Sequence, residues 1–208
     1  HPHGTWGGLG AAAALANFYK LDAPKISSLL NIASSLTLAT SRKTMLEGGT
    51  VRNTYTGISN QMAHLSYQLL KSGFTGERDG ISSVFGTVVS SQFNAELACE
   101  LLGERYEVER NYFKLHACCR YNHAALDALW LLMERHNSLK NIHQIDSISV
   151  KSYVLAAELT EQRPQNVLAS KFSVPFALAT TLVNRSSGVL SFTNTSLENP
   201  DIISLAAK

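Results

Sequence analysis

Apolar residues recur every three or four positions through most of the first half of the chain, which is the spacing of amphipathic helices. The pattern predicts four helices, over residues 5–20, 23–40, 57–71 and 92–102. Pro24 falls in a first helical turn, and Gly73 and Gly103 each follow a last turn. The stretch 41–55 lacks the pattern and is predicted to be a loop. The first half is therefore expected to be helical.

The pattern changes after residue 105, where short stretches of alternating apolar and polar residues appear. These and the helical stretches predict a β-α-β-α order, over residues 106–109, 121–136, 145–153 and 170–184. The last helix is expected despite Pro175 within it. Together the two halves predict an α+β protein, with a helical layer and a small α/β unit.

Composition then limits the classes of function. The 208 residues carry a net charge of +2, so no broad electrostatic field favours nucleic acid or a membrane surface. No apolar run approaches the length of a membrane span. Three cysteines are too few for a disulfide framework and indicate a reducing, cytoplasmic setting. The spacing of histidines and cysteines predicts no metal site. Because the first residue is His1 rather than Met, we expect a piece of a longer protein.

The stretch from Tyr112 to Asp127 concentrates groups that do chemistry. Lys114, His116 and Arg120 bring cations and an imidazole within a few residues of two thiols and of His123. Such a cluster favours a small anionic ligand. Simpler explanations also exist for these residues. Lys114 could be a surface lysine whose ammonium group stays in solvent, and His123 could form a structural pair with Asp127. Cys118 and Cys119 are predicted to serve packing.

The start of the chain, H-P-H-G-T-W-G-G-L-G, leads through glycines into an alanine run. A histidine at a helix N-terminus, where N–H groups point outward, is suited to an anion and to proton transfer. Arg52, in a loop before a helix, can grip a carboxylate with two hydrogen bonds. The simpler alternatives are solvated tail or tag histidines and an ordinary surface arginine.

Four ordered blocks resemble the MmgE/PrpD family. They are the opening H-P-H-G-T-W-G, the stretch V-R-N-T-Y-T-G, the stretch F-K-L-H-A-C-C-R-Y-N-H, and S-K-F-S-V-P-F. The resemblance implies part of a helical domain over residues 1–111, part of an α/β lid domain over 112–192, and a return segment over 193–208. The family's N-terminal helices would lie outside this sequence.

The resemblance also implies the site. His1 and Lys114 match catalytic positions, and we expect substrate contacts from His3, Thr5, Arg52, His116 and Arg120. Three residues depart from the family pattern: Arg52 stands for a lysine, Phe176 for an active-site tyrosine, and His3 for a threonine. These departures argue against cis-aconitate decarboxylation.

The predicted activity is that of a lyase resembling 2-methylcitrate dehydratase, which removes a proton next to a carboxylate of a small di- or tricarboxylate. An epimerase resembling iminodisuccinate epimerase, or a non-catalytic carboxylate-binding homologue, remains an alternative. The resemblance implies a homodimer and no cofactor. We further predict that His1, Arg52 and Lys114 converge on one cleft. We also expect apolar faces to lack cover, at Leu29, Leu30, Leu36, Leu65 and Leu69.

Overall fold

The structure, a computed structural model, describes the backbone of residues 1–208 and every side chain except that of Lys140. Its α-helices are Pro2–Thr5 (α1), Gly7–Phe18 (α2), Ala23–Ser35 (α3), Lys43–Leu46 (α4), Tyr55–Lys71 (α5), Gly80–Ser83 (α6), Ala95–Cys99 (α7), His123–Arg135 (α8), Val154–Ala157 (α9), Val167–Ser170 (α10), Val174–Asn184 (α11), Asn194–Glu198 (α12) and Pro200–Ala206 (α13). Short 3₁₀ helices lie at Thr50–Thr54, Glu107–Arg110, Arg120–Asn122, Asn137–Lys140, Ile142–Gln144 and Val189–Ser191, and a π-helical turn lies at Val84–Val88.

The chain divides into two compact units. The first comprises His1–Arg42 and Val51–Asn111, and the second comprises Lys43–Thr50 and Tyr112–Lys208. A short segment from the first half of the sequence therefore belongs to the second unit.

In the first unit, α2 packs against α3 and α5 through small residues. Ala12 on α2 and Ala63 on α5 are fully buried. A Cβ added at Gly7 would lie 2.7 Å from the hydroxyl of Ser59, which shows how closely the two helices approach. The alanine and glycine run therefore serves close helix packing. Larger apolar side chains, including Leu29 and Phe85, complete this core.

In the second unit, α11 forms the centre and packs against α8 and α13. Ser173 caps α11 by accepting a hydrogen bond from the N–H of Phe176, and Pro175 falls in the first turn, where no N–H is needed. The buried core of this unit includes Leu126, Leu159, Phe176, Leu182, Phe192, Ile202 and Leu205.

The predicted α/β lid is wrong. The structure is 62% helical and contains no strand among its described residues. Residues 106–109, predicted as a strand, run into the 3₁₀ helix Glu107–Arg110, and Val108 is 73% exposed. An alternating pattern forms a strand only where a partner strand pairs with it, and the described residues offer none here.

The second predicted strand, over residues 145–153, is also wrong, for a different reason. Ile142, Ile145 and Ile148 pack on the core of the second unit, so every third residue is covered rather than every second. The N–H of Ile148 donates to the carbonyl oxygen of Lys208, and the Lys208 ammonium donates to that of Ile145. This segment therefore lies extended against helices, outside any sheet.

Most predicted helices are present, with different ends. The helix predicted over residues 121–136 is confirmed as α8, and Gly73 follows α5 with a φ of +83°, as its predicted role requires. The helix predicted over residues 170–184 is α11, which begins only at Val174, and Ser170 is the last residue of the separate helix α10. The break occurs because Ser173 starts a new helix with its own cap.

The apolar faces differ from those predicted. Leu29 is fully buried, whereas Leu65 is 38% exposed. Other large apolar side chains of the first unit are more exposed than Leu65, among them Phe18, Phe74, Val88, Leu97, Leu102 and Val108. Self-association through such a face stays a prediction. Among the described residues, no helix combines the length and the apolar character needed to cross a bilayer.

Candidate functional site

The opening block of the sequence forms a compact hydrogen-bonded turn in the first unit. The backbone nitrogen of His1 donates to the carbonyl oxygen of Thr40 at 2.9 Å, and the hydroxyl of Thr5 donates to the carbonyl of His1 at 2.8 Å. The imidazole of His1 accepts a hydrogen bond of 3.3 Å from the N–H of His3, and the two rings lie 4.5 Å apart. His1, His3 and Thr5 are thus brought together.

The second block meets the first at the start of α5. The ring of Tyr55 lies 6.2 Å from that of His1, and the hydroxyl of Ser59 donates to the carbonyl of His3 at 3.0 Å. Arg52 lies in the 3₁₀ helix that leads into Tyr55 and is half-buried. Two blocks that are separated in sequence therefore come together within the first unit.

A cavity of about 240 Å³ opens beside this turn. Its lining combines the polar groups of His1, Thr5 and Gln92 with the aromatic rings of Trp6 and Phe85. The two rings stack with their centroids 4.0 Å apart, which gives the cavity a rigid apolar wall. A cavity of this kind suits a small molecule with both polar and apolar parts.

The Lys114 segment carries the site residues predicted for the second unit, and its backbone is held by hydrogen bonds to two other parts of the chain. The N–H of Ala117 donates to the carbonyl of Ser187 at 2.9 Å, and the N–H of Cys119 donates to that of Lys171 at 2.8 Å. The exposed ammonium of Lys114 lies 3.5 Å from the carbonyl oxygen of Cys118. The Lys114 ammonium is therefore accessible to solvent, and the backbone that follows it is held by hydrogen bonds.

Arg120 supplies a second exposed cation in this segment. Its guanidinium lies 5.0 Å from the centre of the Tyr112 ring, within the range of a cation–π interaction. Stacking on the ring orients the guanidinium while leaving its donors available to a ligand.

His116 is held by two side chains and is only 6% exposed. Its Nδ1 atom lies 2.6 Å from the hydroxyl of Ser187, and its Nε2 atom lies 2.9 Å from the carboxylate of Asp127. Because a carboxylate only accepts, Nε2 carries a proton, and in the neutral ring Nδ1 then accepts from Ser187. The order Ser-His-Asp is that of a catalytic triad, but burial of Ser187 and His116 keeps a substrate from them.

His123 packs its ring edge-on against that of His116, with centroids 4.9 Å apart. Burial lowers the pKa of His123, while its hydrogen bond to the backbone carbonyl of Cys118 acts in the opposite direction. Its Nε2 atom is buried and has no hydrogen-bond partner among the residues that the structure describes. The pairing with Asp127 considered for His123 is therefore made by His116 instead.

The thiol of Cys118 is suited to packing. Burial raises its pKa to about 12, and a hydrogen bond to Asn122 opposes this only in part. A thiol that remains protonated is a poor nucleophile. Cys118 belongs to the core of the second unit, as the packing role predicts.

The third and fourth sequence blocks meet through Asn122. Its amide nitrogen lies 3.3 Å from each of the carbonyl oxygens of Lys171 and Ser173. Phe176, at the position where the resemblance implies a tyrosine, is 1% exposed and lies in the core with Phe192. Its side chain is therefore closed off from a ligand that approaches from solvent.

A second cavity, of about 230 Å³, lies elsewhere in this unit. Its walls are mostly apolar and include Tyr121, Ile148, Pro175 and Leu178, and none of the predicted site residues lines it. Within the described part of the chain, no three histidine, cysteine or acidic side chains are arranged to hold a metal ion.

Comparison with known proteins agrees with the block pattern. Residues 116–208 match the family model of the MmgE/PrpD C-terminal domain. This part of the chain is therefore similar to the C-terminal domain of MmgE/PrpD proteins. The chain is also 24% identical to a cis-aconitate decarboxylase of Aspergillus terreus, over 226 aligned positions that cover 100% of this chain and 46% of that protein. A protein of the same name from Aspergillus terreus strain NIH 2624 / FGSC A1156 matches equally. The chain spans about half the length of the curated relatives it matches.

The four blocks that resemble the MmgE/PrpD family contain the predicted site residues. They do not indicate which other side chains keep those residues in position. Lys171 and Ser173 stand in the block S-K-F-S, and the structure shows that this block contacts the block of Lys114. Asn122 stands in the third block, but neither it nor Ser187 shows its structural role in the sequence, because polar residues of their type are common in turns and caps. The convergence of His1 and Arg52 with Lys114 stays a prediction.

Proposed function

We propose that the chain is part of a lyase that removes a proton from a carbon next to a carboxylate of a small di- or tricarboxylate, as a 2-methylcitrate dehydratase does. The observation that carries the proposal is the contact between the block of Lys114 and that of Lys171. Both lysines lie close enough to the Cys118 thiol to lower its pKa electrostatically, against the larger effect of burial. Cations grouped in this way bind substrate carboxylates.

In this reaction a base takes the proton, and the electron pair moves onto the neighbouring carboxylate as an enediolate. Lys114 and Arg120 stabilise the charge that develops there, and Arg52 is proposed to hold a further carboxylate. The electron pair then forms the double bond while the carbon–oxygen bond at the next carbon breaks. The leaving hydroxide takes up a proton and departs as water. His1 or Lys114 is proposed to move the protons.

Decarboxylation is a second candidate, because the relatives that match are named cis-aconitate decarboxylases. Two features of this chain argue against it. Arg52 replaces the lysine that the resemblance implies, and Phe176 has no phenol proton to donate and is buried. Epimerisation and binding without turnover remain further alternatives.

The test uses the full-length protein incubated in heavy water with 2-methylcitrate or cis-aconitate, followed by proton NMR. Loss of water, with deuterium entering at the carbon next to the carboxylate on reversal, is the expected result. Release of carbon dioxide from cis-aconitate would instead establish the second candidate. For an added dicarboxylate, deuterium exchange with change of configuration but no loss of water would indicate epimerisation. Saturable binding without any of these would establish a non-catalytic homologue.

A homodimer is also proposed, from the family resemblance, and a cytoplasmic location is proposed from the small number of cysteines. Light scattering of the full-length protein at several concentrations measures the first, and fractionation of cells measures the second. A monomer at all concentrations would remove the homodimer from the proposal.

A further inference from the structure

We propose that His116 is a positioning residue for Lys114, which it holds in place through Ser187 and Asp127. The inference rests on the proposed role of Lys114 in binding or proton transfer. It differs from the direct substrate contact that the sequence predicts for His116.

The segment around Lys114 needs an anchor because its neighbouring side chains supply none. Phe113 is 96% exposed and Leu115 is 84% exposed, so neither packs against the unit. Residues 111–119 also lie outside any helix. Without fixed contacts, a segment of this kind samples many conformations, and the position of the ammonium follows the backbone.

His116 is the first side chain after Lys114 that is buried, and it reaches two separate elements. One ring nitrogen meets Ser187 in the turn that follows α11, and the other meets Asp127 on α8. Ser187 makes a second contact, since its carbonyl accepts from the N–H of Ala117. One serine therefore holds both the side chain of His116 and the backbone that follows it.

His123 completes the arrangement from the side of α8. Its ring packs edge-on against that of His116 and donates to the carbonyl of Cys118. The Lys114 ammonium approaches the same carbonyl oxygen. The two imidazoles thus fix the segment at residues 116 and 118, on the carboxyl side of the lysine.

A nucleophilic role for Ser187 is the obvious competing explanation. Both Ser187 and His116 are more than nine-tenths buried. The carboxylate of Asp127, in contrast, is 64% exposed. A triad needs its serine at the surface and its carboxylate buried, and here the order of exposure is reversed. The geometry therefore fits anchoring.

The test compares chemical acetylation of Lys114 with that of Lys151, an exposed lysine of the same unit that serves as internal reference. Mass spectrometry of the full-length protein gives the ratio of the two rates without any substrate, so failure of the proposed reaction leaves the test intact. The variants are Ser187→Ala, Asp127→Asn, His116→Ala and His116→Asn. Matched controls are Asp146→Asn and Ser204→Ala, which change exposed side chains of the same unit.

We expect His116→Ala to change the ratio of the Lys114 acetylation rate to the Lys151 acetylation rate by about two- to tenfold. This is the range expected for loss of one or more hydrogen bonds. Ser187→Ala should shift this ratio in the same direction as His116→Ala does. His116→Asn places an oxygen where Nδ1 lies and should restore part of the effect, while the controls leave the ratio unchanged. With a substrate in hand, the anchoring variants should lower kcat more than they raise KM.

An unchanged ratio in folded Asp127→Asn and Ser187→Ala proteins, verified by circular dichroism, would overturn the inference. Because the side chain of Asp127 is exposed, Asp127→Asn is expected to fold. The test can therefore still be decided if His116→Ala does not fold. Labelling of Ser187 by a fluorophosphonate, a reagent for activated serines, would also overturn it, because it would show that Ser187 is a nucleophile.

Discussion

The N–H of Cys119 donates a hydrogen bond of 2.8 Å to the carbonyl oxygen of Lys171. This bond joins two sequence blocks that are far apart along the chain, and the lysines of both blocks act electrostatically on the Cys118 thiol. Asn122 strengthens the junction by donating to the same carbonyl.

Replacing Lys114 by alanine is expected to remove most turnover without unfolding the protein. Loss of one charge partner at the transition state costs about 10²–10³-fold in kcat. The exposed side chain contributes under about 0.5 kcal/mol to stability. Steady-state kinetics and urea unfolding measure the two effects, with Lys151→Ala as the matched control. Full activity in the Lys114→Ala protein would show that this lysine carries no chemistry.

Alkylation should separate the cysteines by reactivity. Cys99 is exposed, whereas burial raises the pKa of Cys118 to about 12. At pH 8 only about one Cys118 side chain in 10⁴ is then a thiolate, the form that reacts. Iodoacetamide followed by peptide mapping is therefore expected to modify Cys99 in the native protein and Cys118 only after unfolding. Early modification of Cys118 would contradict its assignment to the core.

Stability should fall as the pH is lowered, partly because of His123. Burial keeps the pKa of His123 below its ordinary value of 6.5 in the folded state. As the pH falls through 6.5, the unfolded chain gains a proton that the folded one does not, so the free energy of unfolding decreases. The decrease ends once the pH is below the folded pKa, and its slope is at most about 1.4 kcal/mol per pH unit.

Urea unfolding between pH 7.5 and pH 5 measures this effect as a difference between variants. His123→Asn keeps a donor for the Cys118 carbonyl but cannot titrate, so its stability should depend less on pH than that of the wild type. His143→Asn, which changes an exposed histidine of the same unit, should behave like the wild type. Equal slopes for all three proteins would rule out the predicted contribution of His123.

Phe176→Tyr is expected to destabilise the protein without creating a decarboxylase. The side chain is 1% exposed, and a hydroxyl added to a closed apolar core lacks a partner, which costs about 1–3 kcal/mol. For a chain of this size, thermal unfolding should shift down by about 2–4 °C per kcal/mol. Phe18→Tyr, at a position 75% exposed, provides the control. An increase in carbon dioxide release from cis-aconitate would show that residue 176 reaches the substrate.

The sequence predicted helices well wherever local signals were strong. The periodicity of α8 and the glycine after α5 were sufficient, because helix formation depends on neighbours within one or two turns. Strands depend on a distant partner, and the alternation at residues 145–153 carried no information about whether one exists. Those residues find cover against helices, with Ile145 and Ile148 in contact with the core.

In the candidate site, too, local features could be predicted from the sequence and distant partners could not. Lys114 and Arg120 could be chosen from the sequence because their charges are rare in so short a stretch. The partners of His116 could not, since Ser187 lies 71 positions away and its single hydroxyl resembles many others. Asp127 was noted in the sequence, but helical spacing favoured its pairing with His123, whereas in the structure His116 contacts the carboxylate.

The segment Lys43–Thr50 makes the second unit discontinuous in sequence, and this has a consequence for the order of folding. Asn166 donates to the carbonyl of Gly48 at 3.0 Å and also caps α10. Gly48 has a φ of +74°, and a Cβ there would lie 2.9 Å from that of Ala169. During synthesis, this segment leaves the ribosome before Val51–Asn111 and must stay unsatisfied until Asn166 emerges. The contacts of the second unit are therefore complete only when this early segment is present, and any piece that starts at residue 112 would lack the carbonyl that Asn166 binds.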